Sequence, residues 1–209
     1  MVVFSIPESV RVYSLVFQPV EIRSGDFVFV DGISGSGKTT FLKLVAGYHP
    51  KYLGTVERSE GFLDGVAFYF HDFHLLEQYG IRENCLFQSL FLDHTTRNAP
   101  ELSERFEKYA DRFGIRSLLG KKISELSSGE YQRVCLIRTL LRGKPVVILD
   151  EPVAFLDAQN KKAVLETLLS LSEAGTTILI SSHDREDFDF FKSRVPEKQF
   201  IPYSISSHE

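Results

Sequence analysis

The segment DGISGSGKTTF, residues 31–41, decides the fold of this chain. It satisfies the pattern GxxxxGK[ST] with Gly32, Gly37, Lys38 and Thr39. The apolar run FVFVD before it predicts a strand, and KTTFLKLVAG has the periodicity of a helix. A glycine-rich turn between a strand and a helix offers closely spaced backbone N–H groups, and the positive end of the helix, to a phosphate chain. The segment therefore predicts a nucleotide-binding loop in an α/β fold.

Phosphate contacts are expected from the whole loop and from the start of the helix. The residues assigned to them are Gly32, Ile33, Ser34, Gly35, Ser36, Gly37, Lys38, Thr39 and Thr40. The Lys38 ammonium would reach the β and γ phosphates, and the Thr39 hydroxyl would ligate Mg²⁺. The alternative is a Gly/Ser turn that only caps a helix, and the predicted strand and helix on either side argue against it.

A second motif, VVILDE at residues 146–151, ends a short apolar run with two carboxylates. Open α/β sheets bind ligands at the carboxyl ends of their strands, so Asp150 and Glu151 fall where a nucleotide is expected. Asp150 would hold Mg²⁺, directly or through water, and Glu151 would orient and deprotonate the attacking water. Two acids that only end a strand are the alternative interpretation.

The periodicity of the remaining chain predicts an α/β core with additions. Residues 2–31 alternate in short runs rich in Val, Phe and Ile, which is typical of strands. Residues 72–125 are expected to be a helical insertion, because one helix face there would carry Leu102, Phe106, Tyr109 and Phe113. Two apolar runs, residues 145–150 and 176–182, predict buried parallel strands joined by a helical crossover.

A third motif, LSSGEYQR at residues 126–133, resembles the signature of the ATP-binding cassette (ABC) family, which is close to LSGGQ. The resemblance implies that Ser127, Gly129 and the helix N-terminus behind them grip the γ-phosphate of an ATP held by the opposite subunit. The departures are Ser128 for Gly and Glu130 for Gln. Read alone, the string could be only a Ser-capped helix start with an acidic first turn.

Other landmarks of the family follow in register, and the resemblance covers nearly the whole chain. Asp157, in EPVAFLD, takes the position of the loop that contacts the partner subunit, and His183, in ISSHD, takes that of the switch histidine. FHLLEQYGIRENCLF resembles the segment that joins the core to the helical subdomain. Its first four residues are similar to the lipoprotein-release, macrolide-export and cell-division branch.

The fold implied is a P-loop NTPase core with a parallel sheet, an N-terminal antiparallel β subdomain and an inserted α-helical subdomain. We expect one ABC ATPase domain, residues 1–209. It would comprise a β-rich and core part (1–71), the helical subdomain (about 72–125), and a core part with the signature, acidic strand and switch histidine (126–209).

Two departures bear on catalysis and on base recognition. The linking loop of the family has Gln after an aromatic residue, but this chain reads YFHD, with His71 in that place. We include His71 with Glu151 and His183 in the expected catalytic set, although the change puts hydrolysis in question. A metal site at His71, Asp72 and His74 is an alternative. For the aromatic residue that stacks on adenine in the family, Tyr13 or Phe4 could serve, or neither.

Composition limits the partners and the compartment. The formal net charge of −4 provides no general attraction to nucleic acid, so no nucleic-acid partner is expected. Cys85 and Cys135 are too few and too far apart in sequence for a disulfide framework or a CxxC metal site, which favours a reducing cytoplasm. No apolar run approaches the length of a membrane-spanning helix.

The resemblance implies two ATP molecules, with Mg²⁺, clamped between two such domains, most simply two copies of this chain. The leading hypothesis is the energy-coupling subunit of a transporter, in the cytoplasm at the inner face of the membrane, with its helical subdomain on a permease. A cassette ATPase in metal-cluster assembly or DNA repair is the second hypothesis. The third is a nucleotide-binding module that hydrolyses little ATP.

Overall fold

The computed structural model describes residues 1–60, 62, 65–72, 74–91 and 99–205. The strands are β1 (Val2–Ile6), β2 (Val10–Val12), β3 (Leu15–Phe17), β4 (Val20–Arg23), β5 (Phe27–Asp31), β6 (Glu57–Arg58), β7 (Val66–Tyr69), β8 (Val146–Asp150), β9 (Thr177–Ser181) and β10 (Phe200–Ser204). The α-helices are α1 (Lys38–Val45), α2 (Ile81–Phe91), α3 (Ala99–Arg112), α4 (Ser128–Leu140), α5 (Ala158–Glu173) and α6 (Arg185–Lys192).

The central sheet has five parallel strands in the order β10-β5-β9-β8-β7. Strands β8 and β9 are buried at every position, as expected of apolar runs covered on both faces. They pair directly, and α5 provides the predicted crossover between them. The carboxyl ends of β5, β8 and β9 therefore share one edge of the sheet, where the phosphate loop, the Asp150–Glu151 pair and His183 are found.

The N-terminal β-rich region forms two antiparallel sheets, which confirms the expected β subdomain. One has the order β4-β1-β6, and the other is the hairpin β2-β3. The hairpin approaches the nucleotide loop, because a Cβ placed on Gly37 would lie 2.4 Å from Leu15 Cδ1.

Phenylalanine supplies much of the core beside the central sheet. Phe27 and Phe29 of β5 pack on Phe191 of α6, with ring centroids 4.3 and 6.5 Å apart. On α1, the Phe41 ring stacks on Tyr203 of β10 at 4.3 Å. Truncating one of these fully buried rings to alanine should cost about 3 to 5 kcal/mol of unfolding free energy. This packing fixes α1, and with it the nucleotide loop, against the sheet.

The chain divides into two compact units. The first comprises Met1–Phe70, Lys144–Glu151 and Leu168–Glu209, and it contains the ten strands found among the described residues. The second comprises His71–Gly143 and Pro152–Thr167. The expected subdomain boundaries at about 72 and 125 stay a prediction, and the second unit also takes in the signature segment.

Helices α2, α3 and α4 pack on one another within the second unit. The predicted apolar face of α3 is buried at Leu102 and Phe106, while Tyr109 is half-buried. Phe113 follows the end of the helix and is also buried. Gly114 then adopts a φ of 62°, the left-handed conformation that commonly ends a helix.

Both cysteines are buried in the second unit and are free. Burial raises the pKa of the Cys85 thiol above its usual range and raises that of Cys135 to about 12. Each thiol therefore stays protonated and behaves as a small apolar side chain. Among the helices described, none has the length and apolar composition needed to cross a membrane.

Candidate nucleotide-binding site

The glycine-rich loop closes tightly between β5 and α1. Gly35 and Gly37 have φ angles of 81° and 105°, a region that glycine adopts far more readily than other residues. A Cβ on Gly32 would lie only 2.4 Å from Ser36 Oγ, so the turn has no room for a side chain there. The Ser36 hydroxyl is buried, and it has no hydrogen-bond partner among the residues that the structure describes. The loop thus forms a backbone cradle around a polar interior.

Lys38 is held inside this cradle rather than in solvent. Its side chain is 5% exposed, and its ammonium group donates hydrogen bonds to the carbonyl oxygens of Gly32 and Ile33 at 2.8 and 3.3 Å. The same ammonium lies 3.3 Å from Glu151 Oε1. A cation that the loop holds in place is suited to a phosphate group, which presents several anionic oxygens.

Asp150 connects the loop to the strand ends through two hydroxyl groups. Thr39 Oγ1 donates to Asp150 Oδ2 at 2.7 Å, and Ser181 Oγ donates to Asp150 Oδ1 at the same distance. Asp150 is 2% exposed and Ser181 is fully buried. The structure therefore brings the two predicted Mg²⁺ ligands, Thr39 and Asp150, together.

Ser181 is a residue to which the sequence analysis gave no role. Its hydroxyl accepts a hydrogen bond from the Glu151 backbone N–H at 2.9 Å while it donates to Asp150. Ser181 lies beside Asp150 because the two residues are paired in the β8–β9 ladder. The motif ISSHD could have indicated this role, because buried polar side chains are nearly always hydrogen-bonded. A serine at the end of one buried strand is therefore expected to pair with an acid at the end of the neighbouring strand.

Glu151 leaves β8 with a φ of 46°, which is unusual for a residue other than glycine. Such a conformation persists where the surroundings impose it, and it is most often found at functional sites. The carboxylate lies 3.3 Å from His183 Nδ1 as well as from Lys38. Glu151, His183 and Lys38 are therefore neighbours.

The donor set in the first unit fits a nucleotide with Mg²⁺. The loop offers backbone N–H groups, a helix N-terminus and a lysine to phosphate oxygens. Thr39 and Asp150 offer hard oxygen ligands of the kind that Mg²⁺ prefers. Within the described part of the chain, no group of three His, Cys, Asp or Glu side chains is placed to hold a metal ion.

The two candidates for base stacking differ sharply in exposure. Phe4 is fully buried against Phe62 and presents no ring face to a ligand. Tyr13 is 73% exposed in the β2–β3 turn, with its ring edge-on to His49. Only Tyr13 of the pair is accessible to a base.

The signature segment lies in the second unit and begins α4. Ser127 caps the helix, since its Oγ accepts from the Glu130 N–H at 3.3 Å while Glu130 Oε2 accepts from the Ser127 N–H at 2.8 Å. A Cβ on Gly129 would lie 2.7 Å from the Phe155 carbonyl oxygen. The glycine is therefore required by a close backbone approach, and the exposed helix N-terminus lines a groove with Leu156.

Two further predicted residues lie in the same unit. Asp157 accepts hydrogen bonds from the backbone and side-chain amides of Asn160, and these lower the pKa of the Asp157 carboxyl. The exposed His71 ring meets Phe155 edge-on, with centroids 5.7 Å apart. Phe73, which begins the FHLL motif, lies outside the described residues.

A parallel sheet with a glycine-rich loop before α1 and an acidic strand end beside it defines the class of P-loop nucleotide-binding proteins. Comparison with known proteins narrows this class. The family model described as ABC transporter matches residues 19–154.

Relatives and solved structures agree with this match. The uncharacterized ABC transporter ATP-binding protein YvcR of Bacillus subtilis (strain 168) is 34% identical over 190 residues, covering 84% of this chain and 72% of that protein. The macrolide export ATP-binding/permease protein MacB of Neisseria meningitidis serogroup A is 32% identical over 187 residues, covering 83% of this chain. The aligned part of this chain spans only 29% of that protein.

Among solved structures, the ATP-binding cassette MJ0796, in a dimeric post-hydrolysis state with ADP and Pi, has the same fold. The TM-score is 0.72 at 21% identity, with 100% of this chain and 98% of that chain covered. A nucleotide-free ATP-binding cassette from an ABC transporter gives a TM-score of 0.69 at 19% identity, covering 99% and 88%. The chain belongs to the ABC transporter family and is an ATP-binding cassette ATPase of that family. The resemblance stated from the signature is thereby confirmed.

Proposed function

We propose that this chain hydrolyses ATP between two cassettes and that the cycle of closure and release drives a membrane permease. The observation that carries the proposal is the cluster in the first unit. Lys38, Thr39, Asp150, Glu151 and His183 are linked to one another by contacts of 2.7 to 3.3 Å around one phosphate loop.

The loop residues 32–40 would hold the phosphates, with Lys38 opposite the β and γ groups. Thr39 and Asp150 would hold Mg²⁺, which when bound neutralises charge on the phosphate oxygens. The phosphates would compete with Glu151 for the Lys38 ammonium, which lies 3.3 Å from Glu151 Oε1. ATP binding would therefore release the Glu151 carboxylate to accept a proton from the attacking water.

His183, which neighbours Glu151, would contact the γ-phosphate. Its side chain is 58% exposed and its Nδ1 already lies 3.3 Å from the Glu151 carboxylate. Tyr13 is the residue we propose for stacking on the adenine. His71 would line the linking loop and act on water rather than on Mg²⁺, because Mg²⁺ favours oxygen ligands over an imidazole nitrogen.

The partner is proposed to be a second cassette, most simply another copy of this chain. Ser127 and Asp157 are exposed and Gly129 is half-buried around the groove in the second unit, where a γ-phosphate from the partner would meet the N-terminus of α4. ATP would then stabilise the closed pair because it contacts both subunits only in that state.

Transport is supported by the relatives, whose names include an ABC transporter ATP-binding protein and an ATP-binding/permease protein. We propose that the second unit docks on a permease at the cytoplasmic face of the membrane. Copurification of a multi-spanning membrane protein with the full chain, and permease-stimulated ATPase activity, would support this. An ATPase rate that no membrane partner changes would favour a role outside transport.

The hydrolysis itself is tested with purified chain, Mg²⁺ and ATP. Wild type should release phosphate, and Lys38→Ala should lose tight ATP binding because the cation opposite the phosphates is removed. Equal nucleotide affinity in the two forms would contradict the assignment of the loop.

A further inference from the structure

The signature of this chain carries an acid where an anion is expected to bind. Glu130 lies in the first turn of α4, and the charged residues around the groove are Glu130, Arg133 and Asp157. Arg133 and Asp157 attract each other electrostatically. The groove would therefore carry one uncompensated negative charge if Glu130 stood alone, and a γ-phosphate approaching it would be repelled.

A fourth residue cancels that charge. Lys121 precedes the helix, and its ammonium lies 2.9 Å from Glu130 Oε1. The other carboxylate oxygen accepts from the Ser127 N–H at 2.8 Å. The Glu130 side chain is only 18% exposed, whereas Lys121 is 40% exposed. One Glu130 oxygen is thus paired with the Lys121 ammonium, and the other accepts a hydrogen bond from the Ser127 backbone N–H.

These same contacts keep Glu130 ionised. The backbone hydrogen bond from Ser127, followed by the Lys121 ammonium, lowers the pKa of its carboxyl. The charge is therefore removed by pairing and not by protonation. With the pair intact, the groove is left with the positive potential of the α4 N-terminus, which favours a phosphate.

We propose that Lys121 is a positioning and charge-compensating residue for the signature, which lets Glu130 act as the helix cap without repelling the γ-phosphate of the ATP held by the partner cassette. The inference rests on the proposed function, because it needs a nucleotide that meets this groove. Lys121 acts through Glu130 and does not itself contact the nucleotide.

The test is a double-mutant cycle of Lys121→Met and Glu130→Gln in the full chain, with KM and kcat measured for Mg-ATP. Lys121→Met should raise KM about threefold to sevenfold, the effect of one unit charge acting over roughly 7 Å at a solvent-exposed site. Glu130→Gln keeps the cap geometry and removes the acid, so its KM is the reference value for the double variant. The double variant should match Glu130→Gln, because without the acid there is no charge to cancel.

Two controls separate charge from structure. Lys121→Arg keeps the cation and should keep KM, and about 0.5 M NaCl should shrink the Lys121→Met effect because exposed charges are screened. Thermal unfolding without nucleotide should show Lys121→Met and the double variant equally folded. If Lys121 only supported the local fold, Lys121→Met and the double variant would have the same raised KM.

The measured KM values decide between the alternatives. A KM for Lys121→Met equal to wild type overturns it, as does a double variant no better than Lys121→Met, which would mean direct nucleotide contact or a packing role. If the wild type does not hydrolyse ATP, or if Lys38→Ala binds ATP as tightly as wild type, the proposed function fails and this inference fails with it. If the wild type is active and adding Glu130→Gln to Lys121→Met lowers the raised KM, the inference is supported.

Discussion

Replacing Ser181 by alanine should weaken both the fold and the catalytic step, because one buried hydroxyl serves two partners. The variant removes a hydrogen bond to the Asp150 carboxylate and leaves the Glu151 backbone N–H without its acceptor. A bond to a charged group contributes about 1.5 to 3 kcal/mol, and a neutral one about 0.5 to 1.5 kcal/mol. The expected loss of unfolding free energy is therefore about 2 to 4 kcal/mol.

Urea unfolding followed by circular dichroism measures the first effect. With a slope of about 2 to 3 kcal/mol per M, the midpoint should fall by roughly 1 M. The turnover number should fall by about tenfold to a hundredfold, because Glu151 would lose the contact that helps to hold its left-handed backbone.

Thr177→Val is the matched control, on the same strand. Thr177 is equally buried and accepts one hydrogen bond, from the Gly25 N–H at 2.9 Å. It should cost about 1 to 2 kcal/mol and leave turnover unchanged. If the unfolding free energy of Ser181→Ala stays within about 0.5 kcal/mol of wild type, as for an ordinary surface substitution, the Ser181 hydroxyl does not have this double role.

Two other variants test separate parts of the account. Gly129→Ala should raise the ATP concentration needed for activity by at least about tenfold, since its Cβ would stand 2.7 Å from the Phe155 carbonyl and must displace the signature; a normal KM would show that the groove tolerates a side chain. His71→Gln should raise the ATPase rate, because the amide offers a hard oxygen where the imidazole offers a nitrogen that Mg²⁺ does not favour. Equal ATPase rates of the two forms at saturating Mg-ATP would show that His71 is only a linking-loop residue.

Local pattern was enough to predict much of this molecule. The buried strands β8 and β9 and the α5 crossover follow from apolar runs and helical period alone, and α3 buries Leu102 and Phe106 of its predicted apolar face. The phosphate loop was predictable because its glycines are required by the backbone itself, as the space around Gly32 shows.

Features set by register or by distant pairing could not be derived in this way. The double role of Ser181 depends on which residue of β9 lies opposite Asp150. The left-handed backbone of Glu151 has no residue-type signal, because the sequence shows an ordinary acid there. Lys121 reaches Glu130 because the segment between α3 and α4, which contains two short 3-10 helices, brings it to the start of α4.

The most direct test of the central claim is the mass of Glu151→Gln in solution, measured by light scattering with and without Mg-ATP. A neutral amide keeps the shape of the side chain but cannot take the proton from water, so ATP should stay bound. We expect twice the mass of one chain with ATP, and the mass of one chain with ADP or without nucleotide. A variant that keeps the mass of one chain at saturating ATP and Mg²⁺ would contradict closure of two copies around ATP.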